Sequence, residues 1–322
     1  MHLARVILAA VFTGLPALGV AAQLLVLNKS DATLVFVDPV SGKIAATVPT
    51  GQGPHEVEVS SDGRLAFVSN YGDRNAGGNT LSVIDIAARK ELKRVDLGEL
   101  SRPHGLTFSG GKLYFTSEES KNVGRYDPVK QVVDWKYSVG QDGTHMVLAS
   151  RDGKKFFTSN IASNTVSILE PGANGNWSQR LVKVGNGPEG LDLAPDGRTL
   201  WSAHSRDGGI SIIDTDSGKV VRTVNAATQR SNRVKITPDG RYALVSDLGA
   251  GNLLIFDAHD YKEVKRLNLG AETTGLLIAP DGATAYAAVS GANRLAVIDL
   301  KTLSVSRTIE TGRSPDGMAW VP

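Results

Sequence analysis

A glycine in a tight-turn setting returns along this chain at an almost constant interval. Asp62-Gly63, Gly110-Gly111, Asp152-Gly153, Asp196-Gly197, Asp239-Gly240 and Asp281-Gly282 set the second residue of successive pairs 48, 42, 44, 43 and 42 positions apart. Glycine there supplies the positive φ that a tight hairpin needs. Each turn joins two apolar, alternating strands, as in HEVEVSSDGRLAFVSN over 55–70. A second hairpin lies between these, in which an apolar strand ends in Asp or Glu before a short turn. It begins at Val35, Ser82, Gly124, Ser167, Ser211, Leu254 and Ala296, which makes seven copies. Four short strands per unit of about 40–45 residues is the pattern of a propeller blade.

Counting strands closes the ring. Six units are complete, whereas the hairpin at Val35 follows a single strand, Leu24 to Asn28, and the last strand, Asp316 to Val321, has no partner of its own. The chain is therefore expected to be an all-β, seven-bladed propeller whose C-terminal strand becomes the innermost strand of the N-terminal blade. That arrangement leaves no free sheet edge between first and last blade.

The N-terminus points to export. Met1 to Arg5 carry one fixed positive charge, Val6 to Val20 are apolar but broken by Gly14 and Pro16, and Val20-Ala21-Ala22 offers small residues for cleavage before Gln23. The apolar run is shorter than the roughly 20 residues that a membrane-spanning helix takes. The division is thus a signal peptide over 1–22 and one propeller domain over 23–322, in a periplasmic or secreted, monomeric protein without a membrane span. There is no cysteine, which excludes covalent haem attachment, thiolate metal sites and disulfides. Lys plus Arg number 35 against 33 Asp plus Glu, for a net charge of +2 and no basic run. That balance gives no footprint for nucleic acid.

Phe67-Val68-Ser69-Asn70 and Phe157-Thr158-Ser159-Asn160 resemble the second-strand signature of the YVTN-type propeller repeats. Asn79-Thr80-Leu81-Ser82-Val83 and Asn164-Thr165-Val166-Ser167-Ile168 fit the same pattern. The resemblance spans the chain beyond residue 22 and implies the seven-bladed architecture. The repeat family is similar to the propeller lactonases and to the propeller domains of haem and quinone oxidoreductases, so an ester-like or lactone substrate is one activity it implies. Fold alone does not fix function.

Repeat position converts into space. The start of each innermost strand and the end of each second strand share the top face near the axis. The first set is His55, His104, His145, Glu189, Asn232, Thr274 and Asp316; the second is Asn70, Glu118, Asn160, His204, Asp247, Ser290 and Asn28. Three consecutive blades thus carry His at one inner position, with Glu in the next. Neutral imidazole is a common ligand of Zn, Cu and Fe, and three His with a carboxylate would leave an open coordination position. His55, His104 and His145 are accordingly expected to hold a divalent transition metal, and Glu189, Glu118 and His204 to handle protons. Arg102 and Arg230 precede inner-ring residues and can hold a carboxylate or phosphate. With Asn70, Asn160, Asn232 and Asp247 they form the expected substrate-binding set. The series Asp38, Asp85, Asp127, Glu170, Asp214, Asp257 and Asp299 ends third strands on the bottom face, where turn capping is expected. Trp135, Trp177 and Trp201 are expected to pack between blades.

Three functions fit this reading. The first is a metal-assisted, lactonase-like hydrolase of a small anionic organic substrate. The second is a non-catalytic envelope scaffold that binds a ligand or a protein partner. The third is an oxidoreductase-associated propeller holding a His-ligated metal or a non-covalent tetrapyrrole.

Overall fold

A computed structural model describes residues 22–321. The expected signal peptide therefore lies outside the described residues, except for Ala22. Seven four-stranded antiparallel sheets surround a central channel. Blade 1 orders its strands, from the axis outward, as Pro315–Val321, Gln23–Asn28, Thr33–Val37 and Ile44–Pro49. Blades 2 to 7 follow in chain order, their innermost strands being Pro54–Val59, Pro103–Ser109, Thr144–Ala149, Pro188–Leu193, Ser231–Ile236 and Thr273–Ile278. The C-terminal strand closes the ring as the repeat count requires: Leu24 pairs with Trp320, Leu25 with Ala319 and Val26 with Met318. The Lys29 amide donates to the Ser314 carbonyl (3.0 Å) and Arg313 Nε to Asp31 Oδ1 (2.6 Å), which fastens the two chain ends at the top face.

Each sheet is buried on both faces, so its middle strands read as near-continuous apolar runs instead of a clean alternation. Leu24 and Val26 pack toward blade 7 against Tyr286 and Leu295, while Leu25 and Leu27 pack toward blade 2 against Val57 and Val68. Trp201 is fully buried between blades 5 and 6, and Trp135 meets Trp177 at 4.7 Å across blades 3 and 4. Outermost strands are half exposed, as in Ile44–Pro49.

The turns follow from local chemistry. Gly63 sits at φ +70°, and a Cβ there would meet nothing within 4 Å, so the demand for glycine is conformational and not steric. Asp62 caps this turn by accepting from the Arg64 amide at 3.1 Å. On the bottom face Asp38 accepts from the amides of Val40 and Ser41, both at 2.8 Å; Asp85, Asp127, Asp214, Asp257 and Asp299 do the same work in their blades. Among the described residues no helix is long and apolar enough to cross a membrane.

Candidate functional site

Each innermost strand opens on a residue paired with the end of the second strand, and its register then shifts. Pro54 pairs with Asn70, and pairing resumes only at Val57 with Val68; blades 3, 4, 6 and 7 repeat this. Such a bulge re-aims side chains, and here it turns the residue after the opening one toward the axis. His55, His104, His145, Glu189, Asn232, Thr274 and Asp316 all line one top-face funnel of about 660 Å³. Their backbone is held by the neighbouring blade. Ser69 Oγ donates to the His104 carbonyl (2.8 Å), Thr116 Oγ1 to that of His145 (2.5 Å) and Ser159 Oγ to that of Glu189 (3.2 Å).

The three imidazoles form a contiguous array. Ring centroids are 4.3 Å apart for His55 and His104, and 3.6 Å apart for His104 and His145. His104 is 1% exposed and His145 6%, yet neither ring nitrogen of either residue has a hydrogen-bond partner among the described residues. Burial pushes His55 and His104 well below the usual histidine range, and Lys29 beside the first and His145 beside the second push the same way. Both are therefore neutral at pH 7, with a lone pair on one nitrogen. The rings pack face and edge against one another, and among the described residues no three or more His, Cys, Asp or Glu are arranged to hold a single metal ion.

Carboxylates flank the array. At one end Lys29 Nζ lies 3.4 Å from His55 Nε2 and 3.2 Å from Asp316 Oδ2. Burial raises the Asp316 carboxyl, but Lys29, Arg233 and His55 outweigh it and hold it at about 2. At the other end Tyr71 Oη donates to Glu118 Oε2 at 2.7 Å, and that oxygen lies 3.8 Å from His145 Nδ1. Burial would raise Glu118, but His145, the Tyr71 hydrogen bond and Arg102 together hold it below the usual range. Tyr71 also stacks on His55 at 5.0 Å, with the Arg102 guanidinium 5.0 Å above its own ring.

The second ring differs from expectation by one residue in most blades. Lys29, Tyr71, Glu118, Ile161, Ser205 and Leu248 line the funnel, each one position past the second-strand residue that ends its pairing with the innermost strand. Side chains alternate along a strand, so the terminal residue itself faces sideways into the blade. Asn70, Asn160, His204 and Asp247 are those terminal residues, each at most 1% exposed. They brace loops and do not line the funnel. Asn70 Oδ1 accepts from the Gly51 amide (3.0 Å), Asn160 Nδ2 donates to Ser167 (2.9 Å), and Asp247 accepts from the amides of Gln229 (3.0 Å) and Arg230 (2.9 Å). His204 Nδ1 is paired with Asp207 at 3.0 Å. Glu118 reaches the funnel because Ser117 takes the strand-end place in blade 3. Arg102 stands behind Tyr71 and does not line the funnel, whereas Arg230 does.

Sequence reasoning passed over Tyr71, Lys29, Arg74, Arg206, Arg233 and Glu56. The first two were readable from the strand alternation once the register was counted correctly; the loop arginines had no periodic signal. Arg74, Arg206 and Arg230 line the funnel, and none of the three is ion-paired among the described residues. Deeper on the axis, Arg233 of blade 6 bonds to Glu56 of blade 2, while its Nη1 donates to the Asn232 carbonyl at 3.2 Å. Asn232 in turn donates to Glu189 Oε1 at 2.6 Å. A second cavity of about 360 Å³ lies on the axis with Glu56 and Arg233 in its wall, lined otherwise by Glu58, Lys235 and apolar residues such as Leu148 and Leu277.

Residues 146–321 match the family model described as YNCE-like beta-propeller. A dihydro-heme d1 dehydrogenase of Pseudomonas aeruginosa is 38% identical over 76 residues, 24% of this chain; the match spans only 15% of that protein's length. The solved structure of dihydro-heme d1 dehydrogenase NirN in complex with DHE superposes with a TM-score of 0.64 at 14% identity, over 92% of this chain and 74% of that one. A candidate 6-phosphogluconolactonase of Bacteroides fragilis superposes with a TM-score of 0.79 at 16% identity, over 95% and 100%. At such identities the structural likenesses speak to fold alone.

Proposed function

Because the chain belongs to the YNCE-like β-propeller family, a scaffold that leaves chemistry to its channel mouth, we propose that its top funnel binds a metal-bearing, multiply anionic chelate of the tetrapyrrole class. One observation carries the reading: the four ring nitrogens of His104 and His145 are buried without a hydrogen-bond partner among the described residues. Leaving a buried polar group unbonded costs about 1–3 kcal/mol each, a cost that would be offset by a ligand offering a Lewis acid to a lone pair and polar acceptors to the N–H groups. Three imidazoles that do not surround one point make a poor three-nitrogen shell. A chelate would bring most of its own donors, so a single imidazole of the array would suffice to hold it.

The remaining lining suits the rest of such a molecule. Arg74, Arg206 and Arg230 would pair with carboxylates, and the volume falls within the roughly 300–1,000 Å³ of small-molecule sites. Without cysteine the group would be held non-covalently. When bound, it would supply redox chemistry at its metal. His104 and His145 would donate to the metal or to its polar edge, and Tyr71 would cover one side. The NirN relative, solved with DHE, is consistent with this use of the fold. An envelope setting, periplasmic or secreted, belongs to the same proposal.

The Tyr71–Glu118–His145 contacts favour a second reading, a lactonase-like hydrolase. His145, backed by the Glu118 carboxylate, would take a proton from water attacking the carbonyl, while Arg230 held an anionic substituent. Two measurements separate the readings. Tag-free protein is titrated with haemin, and lactone hydrolysis is followed in parallel. A shifted haemin spectrum that disappears in the His104→Ala/His145→Ala double variant supports the first reading. Hydrolysis without haemin uptake transfers the site to the second, and neither result leaves an envelope scaffold.

A further inference from the structure

The three histidines are not equivalent, and their partners rank them. Lys29 Nζ stands 3.4 Å from His55 Nε2, so the donor there among the described residues is an ammonium, and the imidazole lone pair on that nitrogen is engaged. The same ammonium takes Asp316 at 3.2 Å, whereas His55 is 3.9 Å from that carboxylate. His104 lies between two other rings and has no carboxylate within salt-bridge distance among the described residues. His145 alone has a carboxylate facing Nδ1, at 3.8 Å, and that carboxylate is tied down by the Tyr71 hydroxyl at 2.7 Å. Arg102 stacks on Tyr71 from behind, so the anchor is itself clamped.

We infer that Glu118, anchored by Tyr71, is a positioning residue that keeps the proton of His145 on Nδ1 and so makes His145 Nε2 the nitrogen that meets the ligand. A carboxylate facing one imidazole nitrogen at 3.8 Å, although beyond hydrogen-bond length, favours the tautomer that carries its proton on that side and leaves the other nitrogen as the free base. His104, tilted against it with ring centroids 3.6 Å apart, restricts how the ring can turn. The assignment rests on the ligand-binding reading of the funnel for its consequence, but the tautomer is a property of the protein without ligand.

The test therefore has two parts. In ¹⁵N-edited NMR of the ligand-free protein near pH 7.5, His145 is expected as the Nδ1–H tautomer in wild type. Glu118→Gln is expected to move it toward Nε2–H, because the side-chain amide can donate to Nδ1, with an unchanged melting temperature. In haemin titrations, His145→Ala is expected to lose the coordinated spectrum. Glu118→Gln and Tyr71→Phe are expected to weaken binding by about 10–100-fold, with Glu118→Gln the larger effect, and His104→Ala to weaken binding while the form that does bind keeps the coordinated spectrum. A wild-type His145 on Nε2–H, or a Glu118→Gln protein with wild-type tautomer and affinity, overturns the assignment. If wild type takes up no haemin, the chelate reading falls and the NMR result alone decides the role of Glu118.

Discussion

Arg233 and Glu56 meet across the central channel and join the innermost strands of blades 6 and 2, which are not neighbours in the ring. Arg233 is 5% exposed and also braces Asn232, so the pair is a buried crossbar beneath the funnel. Removing one partner leaves the other charge buried alone. Arg233→Ala or Glu56→Ala should each cost about 3–5 kcal/mol. The double variant should cost less than the sum, and chemical denaturation of the four proteins measures the difference.

Glu58, one alternate position below Glu56, titrates against the usual sense. Burial pushes its carboxyl up to about 7, against the opposing pull of Lys235. A raised carboxyl pKa means that the folded state binds the extra proton, so this contribution is full below 4.5 and declines as pH rises toward 7. Glu58→Gln should therefore raise the melting temperature at pH 8 and change it little at pH 4.5. The difference corresponds to on the order of 2–3 kcal/mol. A gain that does not depend on pH would contradict the burial of this group.

His104→Leu separates binding from folding. The substitution removes two unpartnered buried nitrogens at similar volume, and replacing unsatisfied polar atoms with apolar ones is near neutral or stabilising. The variant should melt at or above wild type while binding haemin more weakly. His259, 77% exposed on the bottom face, serves as the control: His259→Ala should alter neither property.

Deleting residues 315–322 removes the innermost strand of blade 1 and bares the edge of Gln23–Asn28. Loss of a single cooperative transition, or aggregation on purification, is expected. A truncated chain that melts like the intact one would show that the two ends do not depend on each other.

Much of this was legible in the sequence, for a physical reason. Asp-Gly turns and apolar runs recur because every blade solves the same packing problem, so the strand count and the closure followed from them. The inner ring was legible too, since each of its residues stands next to a loop-closing residue such as Pro54 or Pro103. The second ring was misplaced by one in most blades because Asn70 and Asn160 are polar for the sake of their loops, not for a ligand. Glu56 and Arg233 were hidden differently. The bulge sets two successive residues, 55 and 56 or 232 and 233, on the channel side, and strict alternation gives no sign of that.

The hydroxyl-to-carbonyl bonds from Ser69, Thr116 and Ser159 hold the inner ring by its main chain, whatever side chain stands there. The scaffold is thereby indifferent to the letters written at those positions, and the mouth can be spelled one blade at a time. In this protein the word around the axis is His-His-His-Glu-Asn-Thr-Asp. On the proposed function, rewriting a single letter is expected to change what the mouth accepts while the ring that presents it stays the same, which would make the propeller a reusable frame for different recognition chemistries.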